Sequence, residues 1–392
     1  WHLQFSRIAF EANLGLFFLS LGIYFLVRSF RQSLFMPFAA FTLGLGIFAY
    51  HSLRLIIPLL VLSLLLPRFH WLKQHLKPTF TAIGISTIFI VLLLRVISQG
   101  AGQARLKSVS IFTIPTLTQA GDNRIRQDHY SFLSRFINHR FWAYGQQIAI
   151  GYLDHFNPNF WFIDGDGNPR HHAANFGLLY LIEAPFLILG VIRLTRRHSF
   201  AAQILLPWFF LSPLASSLTS GTPSAVRSLF FLPTFQIFTA LGLTSAYQSL
   251  KFKKLFVLGL FLIFNFSFLT YLDLYHHHMP REVSPGWQYG YKQVVDKVMA
   301  VKSDYQKIIV TTEYDQPYIY FLWYGNYDPK IWVNDGEFSH RFDNFEFRRI
   351  WDSDKLLPQT LLIVSPQDIQ SSHPLWTINF LDGAPAFTAI KT

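Results

Sequence analysis

The stretch WHLQFSRIAFEANLGLFFLSLGIYFLVR, residues 1–28, decides the fold class. From Ala12 to Val27 it carries no charge, and Arg7 and Glu11 sit just ahead of that run. Read as a helix, the run is a membrane span with an ionisable pair at its mouth. Such a pair is either simply solvated or lines a cavity where a charged ligand is handled.

Composition narrows the choice. The chain has 392 residues, of which 51% are hydrophobic and 14% charged, with 42 Phe and a mean hydropathy of +0.27. A soluble globule carries about 25% charged residues, so the reading is a polytopic membrane protein with a smaller soluble part. The net charge of +11 falls in short loops between apolar runs, as membrane topology requires, and nucleic acid is not an expected partner. The absence of cysteine excludes disulfides, thiol nucleophiles and Cys-based metal sites within this sequence. The sequence begins at Trp1 rather than Met, with no signal peptide before the first apolar run, and the expectation is that a longer protein's N-terminus precedes it.

About eight apolar segments follow one another: Ala12 to Val27, Leu34 to Tyr50, Leu55 to Leu66, Phe80 to Ile97, Phe176 to Ile192, Phe200 to Leu218, Ser228 to Tyr247 and Leu255 to Tyr271. Basic residues collect in alternate loops, at Arg28 and Arg31, at Arg68, Lys73 and Lys77, at Arg193, Arg196 and Arg197, and at Lys251, Lys253 and Lys254. The positive-inside rule makes those loops cytoplasmic. The N-terminal stretch, the turn His51 to Arg54, the long loop Ser98 to Asn175, the turn Thr219 to Val226 and the C-terminal region are then expected outside a cell membrane crossed several times.

The expected domains are a transmembrane region over 1–275, including the outer loop 98–175, and a small extracytoplasmic α/β domain over 283–392. The outer loop is rich in aromatics and turn formers, and predicts short helices lying on the membrane with Trp142, Phe160 and Trp161 at headgroup depth. In the C-terminal region YKQVVDKVMAV has helical period, KIIVTT and TLLIVS read as β-branched strands, QPYIYFLWYG as a second helix and FTAIK as a closing strand. No Gly-rich phosphate loop occurs there.

The motif SRIAFEANLGLFF resembles the Ser-Arg, short gap, acidic residue and apolar run of the polyprenyl-phosphate-sugar-dependent GT-C glycosyltransferases, which include protein O-mannosyltransferases and the aminoarabinose transferase of lipid A. LTSGTPSAVRSLFFLPTFQIFTALGL is similar to their Arg-bearing late helix, and FNPNFWFIDGDGNPRHHAANFGLLYLIEAPFLILG to bacterial members. The resemblance implies an integral-membrane enzyme moving a hexose or pentose from a polyprenyl-phosphate donor to a protein, lipid or glycan acceptor. It also implies that the principal catalytic acid lies in a first outer loop upstream of Trp1. Two other readings are an O-antigen polymerase or ligase, which the C-terminal α/β region fits poorly, and a transporter or non-catalytic membrane scaffold, though no repeated halves are visible.

Transfer from a lipid phosphate needs cations for the phosphate and a carboxylate for the acceptor proton. Glu11 is the acid matching the motif, as catalytic residue, against a role capping its helix or pairing with Arg7. Arg7, Arg54 and Arg227 are candidate substrate-binding cations, against interfacial arginines reaching for water. His171 and His172 are candidates for a divalent metal or a phosphate, against the commoner case of a merely solvated pair. Asp164, Asp166 and Asn168 have the oxygen spacing that opens a calcium loop, but Pro169 replaces its glycine and Asn175 its closing Glu, so a polar turn is favoured. His276 to His278 read as a solvated linker. Glu183 falls inside an expected span, with Pro185 marking a kink.

Overall fold

The computed structural model describes residues 1–392 apart from 9, 99–107, 174, 197–198, 337–339 and 370–372. The start of the long loop and Arg197 of the basic set therefore lie outside the described residues. The chain divides into two compact units, Trp1–Leu269 and Thr270–Thr392.

Six described helices are long and apolar enough to cross a membrane: Glu11–Ser29, Leu53–Gln74, Leu76–Ser98, Phe200–Ser217, Leu229–Ser249 and Lys253–Glu282. The architecture is that of a multi-pass membrane protein. Two of the eight expected segments do not reach that length. Leu34 to Tyr50 becomes the shorter apolar helix Ser33–Ala49. In Phe176 to Ile192 helix begins only at Leu181, where a 3-10 turn Leu181–Glu183 leads into the 13-residue α-helix Ala184–Arg196, itself about 20 Å at 1.5 Å per residue against a hydrocarbon core of about 30 Å. The helix starts late because its approach is spoken for: Leu179 N–H donates to the Trp161 carbonyl at 2.8 Å, and Glu183 Oε1 accepts from Tyr180 N–H at 3.2 Å. Glu183 is thus a helix-start cap.

The spans differ in what surrounds them. Half of the apolar window of Phe200–Ser217 and of Leu229–Ser249 is buried within the protein, against 6% for Leu76–Ser98 and for Lys253–Glu282. A helix apolar all round and so little covered by protein is stable only against hydrocarbon. The first unit's core joins Leu16, Leu19, Ile57, Leu60, Trp208 and Phe235. At its centre Phe209 meets Phe156, Trp161, Phe231, Phe235 and Phe238 at ring separations of 5.1–6.3 Å, distances at which edge-on aromatic pairs attract. Phe160 and Trp161, expected at headgroup depth, are covered by protein at 2% and 9% exposure, their side chains belonging to this cluster.

The helix Ala184–Arg196 crosses the helix Thr234–Ser249 at two glycines. A methyl group on Gly190 would lie 1.8 Å from the Phe238 carbonyl oxygen, and one on Gly242 1.8 Å from that of Phe186. The backbones touch directly, as small residues allow between membrane helices.

The second unit is built on a six-stranded sheet of order β2-β3-β1-β4-β6-β5, with β1 Lys307–Val310, β2 Arg341–Phe342, β3 Phe345–Phe347, β4 Thr360–Val364, β5 Trp376–Asn379 and β6 Pro385–Lys391. The central β3, β1 and β4 are parallel and both edges antiparallel. Alternation in KIIV and TLLIV sends Ile308, Val310, Leu361 and Ile363 to one face and Ile309, Leu362 and Val364 to the other. The first face is covered by the helices Tyr291–Val301 and Tyr318–Tyr324 through Val294, Val298 and Phe321.

Candidate functional site

Three segments of the first unit converge: the short helix His2–Arg7 with Phe10, the loop Asp164–Ala173, and the turn Thr219–Arg227. Asp166 organises them. Its Oδ2 accepts from the backbone N–H of Ala225 at 2.6 Å and from His171 Nδ1 at 2.6 Å, and its Oδ1 from Asn168 N–H at 3.0 Å. Burial works against the charge, but these donors outweigh it and hold the carboxyl below the usual range. Since a carboxylate only accepts, Nδ1 of His171 carries a proton. The His171 ring lies 5.6 Å from Phe5 and 5.7 Å from Phe10, and Gln4 Nε2 donates to the Arg170 carbonyl at 2.8 Å. The loop is thus fastened to Phe5 and Phe10, which flank Arg7, with Phe10 immediately ahead of Glu11.

The run from Asp164 to Asn168 is a polar turn whose oxygens are engaged by protein donors. Asp164 Oδ2 accepts from Asn159 Nδ2 at 2.7 Å, and Asn168 Oδ1 from Arg170 N–H at 3.1 Å. Gly165 has φ +67, and a methyl there would strike the His172 ring at 2.5 Å, so only glycine fits. Both nitrogens of His172 face carbonyl oxygens, that of Asp166 at 2.7 Å and that of Ala173 at 3.0 Å. Among the described residues no group of three His, Asp or Glu side chains is placed to hold a metal ion.

On the opposing turn, the half-buried Arg227 donates through one guanidinium nitrogen to Thr219 Oγ1 and, at 2.6 Å, to the Ser220 carbonyl. Glu11 is the exposed first residue of its helix, where the positive end of the helix dipole favours a carboxylate. Arg7 is the exposed last residue of His2–Arg7. One turn inside Glu11, a methyl on Gly15 would lie 3.0 Å from Leu53 Cδ1 and 3.5 Å from Phe230 Cε1. Arg54 follows Leu53 and Arg227 precedes Phe230 by three residues, so all three helix entrances share one end of the first unit. Arg54 Nε donates to the Ile47 carbonyl at 3.4 Å.

No protein-family model, curated protein or solved structure matches the chain. The GT-C resemblance therefore rests on the quoted motifs themselves.

One central residue escaped the sequence reading. His155 is fully buried; its Nδ1 donates to the Gly151 carbonyl at 2.6 Å, leaving Nε2 to accept from Ser224 N–H at 3.1 Å beside Ser216 Oγ at 2.9 Å. Burial foremost, with the Arg227 charge adding to it, pushes this imidazole down to about 4 against the Gly151 bond. His155 and Asp166 thus capture the consecutive N–H groups of Ser224 and Ala225, while Asp154 Oδ2 takes the Thr222 hydroxyl at 3.1 Å. A lone histidine in an aromatic run gives no sign of such a task. The triplet His276 to His278 belongs to the second unit, where His277 bonds Asp273 at 2.8 Å and His278 bonds Glu282 at 3.2 Å, all exposed.

Proposed function

We propose that this protein is an integral-membrane glycosyltransferase that moves a sugar from a polyprenyl-phosphate donor to a hydroxyl or amine of a protein, lipid or glycan acceptor at the outer face of the cell membrane, with the second unit also outside. The observation that carries the reading is the fastening of the Arg227 turn, through Asp166, to the loop that also holds the Arg7 and Glu11 segment. It gathers cations and one exposed carboxylate at a single end of a membrane bundle. In the reaction the bond from the sugar's anomeric carbon to the phosphate oxygen breaks and one to the acceptor forms. The lipid phosphate leaves with the electron pair, where Arg227 and Arg7 stabilise its charge. Glu11 orients the acceptor or assists removal of its proton.

The test is release of polyprenyl phosphate from a panel of polyprenyl-phosphate hexoses and pentoses by the full-length protein in membrane vesicles. Sugar-dependent release with transfer to an acceptor fraction supports the assignment. Folded protein that turns over no member of the panel refutes it.

A further inference from the structure

The segment from Phe132 to Trp142 is folded inside out. In the helix Phe132–Ile137 the residue turned towards the protein is Ser134, 5% exposed, whose hydroxyl donates to Asp128 Oδ2 at 2.5 Å and accepts from Asn138 Nδ2 at 3.2 Å. The packing on that side is close, since a methyl on Gly121 would lie 2.6 Å from the Asn138 carbonyl oxygen. The outward side carries Phe132, Leu133, Phe136 and Ile137, continued by Phe141 and Trp142, and exposures run from 58% to 87%. Trp142 is fixed to this surface by its indole N–H, which donates to the Phe136 carbonyl at 3.0 Å. A helix of a water-soluble surface has the reverse arrangement, and a contiguous apolar patch of this kind marks a surface that meets another apolar phase.

Location and charge identify the phase. The outer loop is tied to the span Phe200–Ser217 at two points: Tyr152 OH donates to the Phe210 carbonyl at 2.9 Å, and Ile111 N–H to the carbonyl of Leu218, the residue after the span, at 3.2 Å. The Ile111 tie lies at the mouth of that span, and Tyr144, two residues beyond Trp142, packs on the Phe112 ring at 5.0 Å, so the segment is joined to the region where a span meets the headgroups. Around it the exposed Arg124, Arg126, Arg135 and Arg140 outnumber Asp122 and Asp128, and Arg135 lies over the Tyr130 ring at 5.6 Å. Aromatic and aliphatic side chains flanked by arginine suit the interface of a bilayer containing anionic lipid.

We infer that the Phe132–Trp142 segment is an interfacial anchor seated in the headgroup zone of an anionic bilayer. It is independent of any transferase activity.

The chain has no cysteine, so Phe136→Cys, and separately Phe132→Cys, offers a single labelling position within it. The full-length variants, labelled with bimane, are reconstituted in phosphatidylglycerol-containing vesicles with or without lipids spin-labelled near the headgroup. The expected result is loss of most emission with spin-labelled lipid, little quenching by aqueous iodide, and weaker lipid quenching when Arg135→Glu and Arg140→Glu are added or phosphatidylglycerol is left out. Iodide access equal to that of the free dye conjugate, without lipid quenching, would overturn the anchor. Protection from both quenchers, with disulfide-linked dimers forming through unlabelled Phe136→Cys, would also overturn it and assign the patch to a second copy of the chain.

Discussion

Asp166 Oδ2 lies 2.6 Å from the backbone nitrogen of Ala225, across 59 residues of chain. The same oxygen receives His171, so one buried atom ties the loop to the turn that presents Arg227. Two donors converging on one acceptor constrain what can replace it.

Asp166→Asn is the sharpest probe of this tie. If the amide oxygen takes the Oδ2 place, its NH2 faces the N–H of Asn168; if the amide is reversed, NH2 faces both His171 and Ala225. Either way a buried donor meets a donor, and stability should fall by about 1–3 kcal/mol. Thermal unfolding in detergent, followed by tryptophan emission, reads this directly. An unchanged midpoint would mean that the tie contributes nothing to holding the turn.

His155 makes acid sensitivity a second expectation. Its native value of about 4 lies below the ordinary 6.5, so the unfolded chain takes up the proton first. Stability is then complete above about pH 6.5 and declines as pH falls toward 4. The full shift corresponds to at most about 3 kcal/mol. Asp166, held low, adds a loss only at still lower pH. His155→Gln keeps an acceptor for Ser224 N–H without titrating, and should flatten the unfolding midpoint between those limits. The same slope in wild type and variant would exclude His155 as the group responsible.

What the sequence made legible follows from the range of the interactions. KIIV and TLLIV declare a two-sided buried strand by residue type alone, and Tyr291 to Val301 shows its apolar period, so β1, β4 and that helix lie where local pattern puts them. The segment from Phe176 is different. Its apolar run has the composition of a span, but Leu179 N–H is taken by the Trp161 carbonyl, a partner with no sequence signature. That Phe160 and Trp161 are covered by protein was hidden for the same reason, as aromatic residues serve an interface and a core equally well. At the site, Asp166 was visible as a turn residue, while its hold on Ala225 depends on a backbone N–H that every non-proline residue offers.

The crossing of Gly190 and Gly242 gives a third expectation. Each lies 1.8 Å, in methyl terms, from a backbone oxygen of the other helix, and backbone cannot move aside as a side chain can. Gly190→Ala and Gly242→Ala should each lower stability by about 1–3 kcal/mol. Both push on one crossing, so the double variant should lose less than the sum. Gly84→Ala is the matched control, since nothing lies within 4 Å of its added methyl. It should leave the midpoint unchanged or slightly raised, alanine being the better helix former. Equal behaviour of all three would show that the helices do not touch through their backbones.

Arg227 offers the most direct test of the proposed chemistry. A guanidinium that stabilises the departing phosphate acts in the transition state, and removing such a donor lowers the rate by about 10²-fold or more. Arg227→Ala in the full-length protein should therefore lose transfer from the lipid donor by at least that factor. The side chain also braces its own turn through Thr219 Oγ1 and the Ser220 carbonyl, so a loss could arise from a slackened turn alone. Thr219→Val separates the two effects, because it withdraws one brace and leaves the charge in place. Arg227→Lys keeps the charge but not the planar fork that meets phosphate oxygens in pairs, and should fall between wild type and alanine. Near-wild-type transfer in Arg227→Ala, or a loss in Thr219→Val as large as that in Arg227→Ala, would remove Arg227 from the phosphate and leave it as a structural brace.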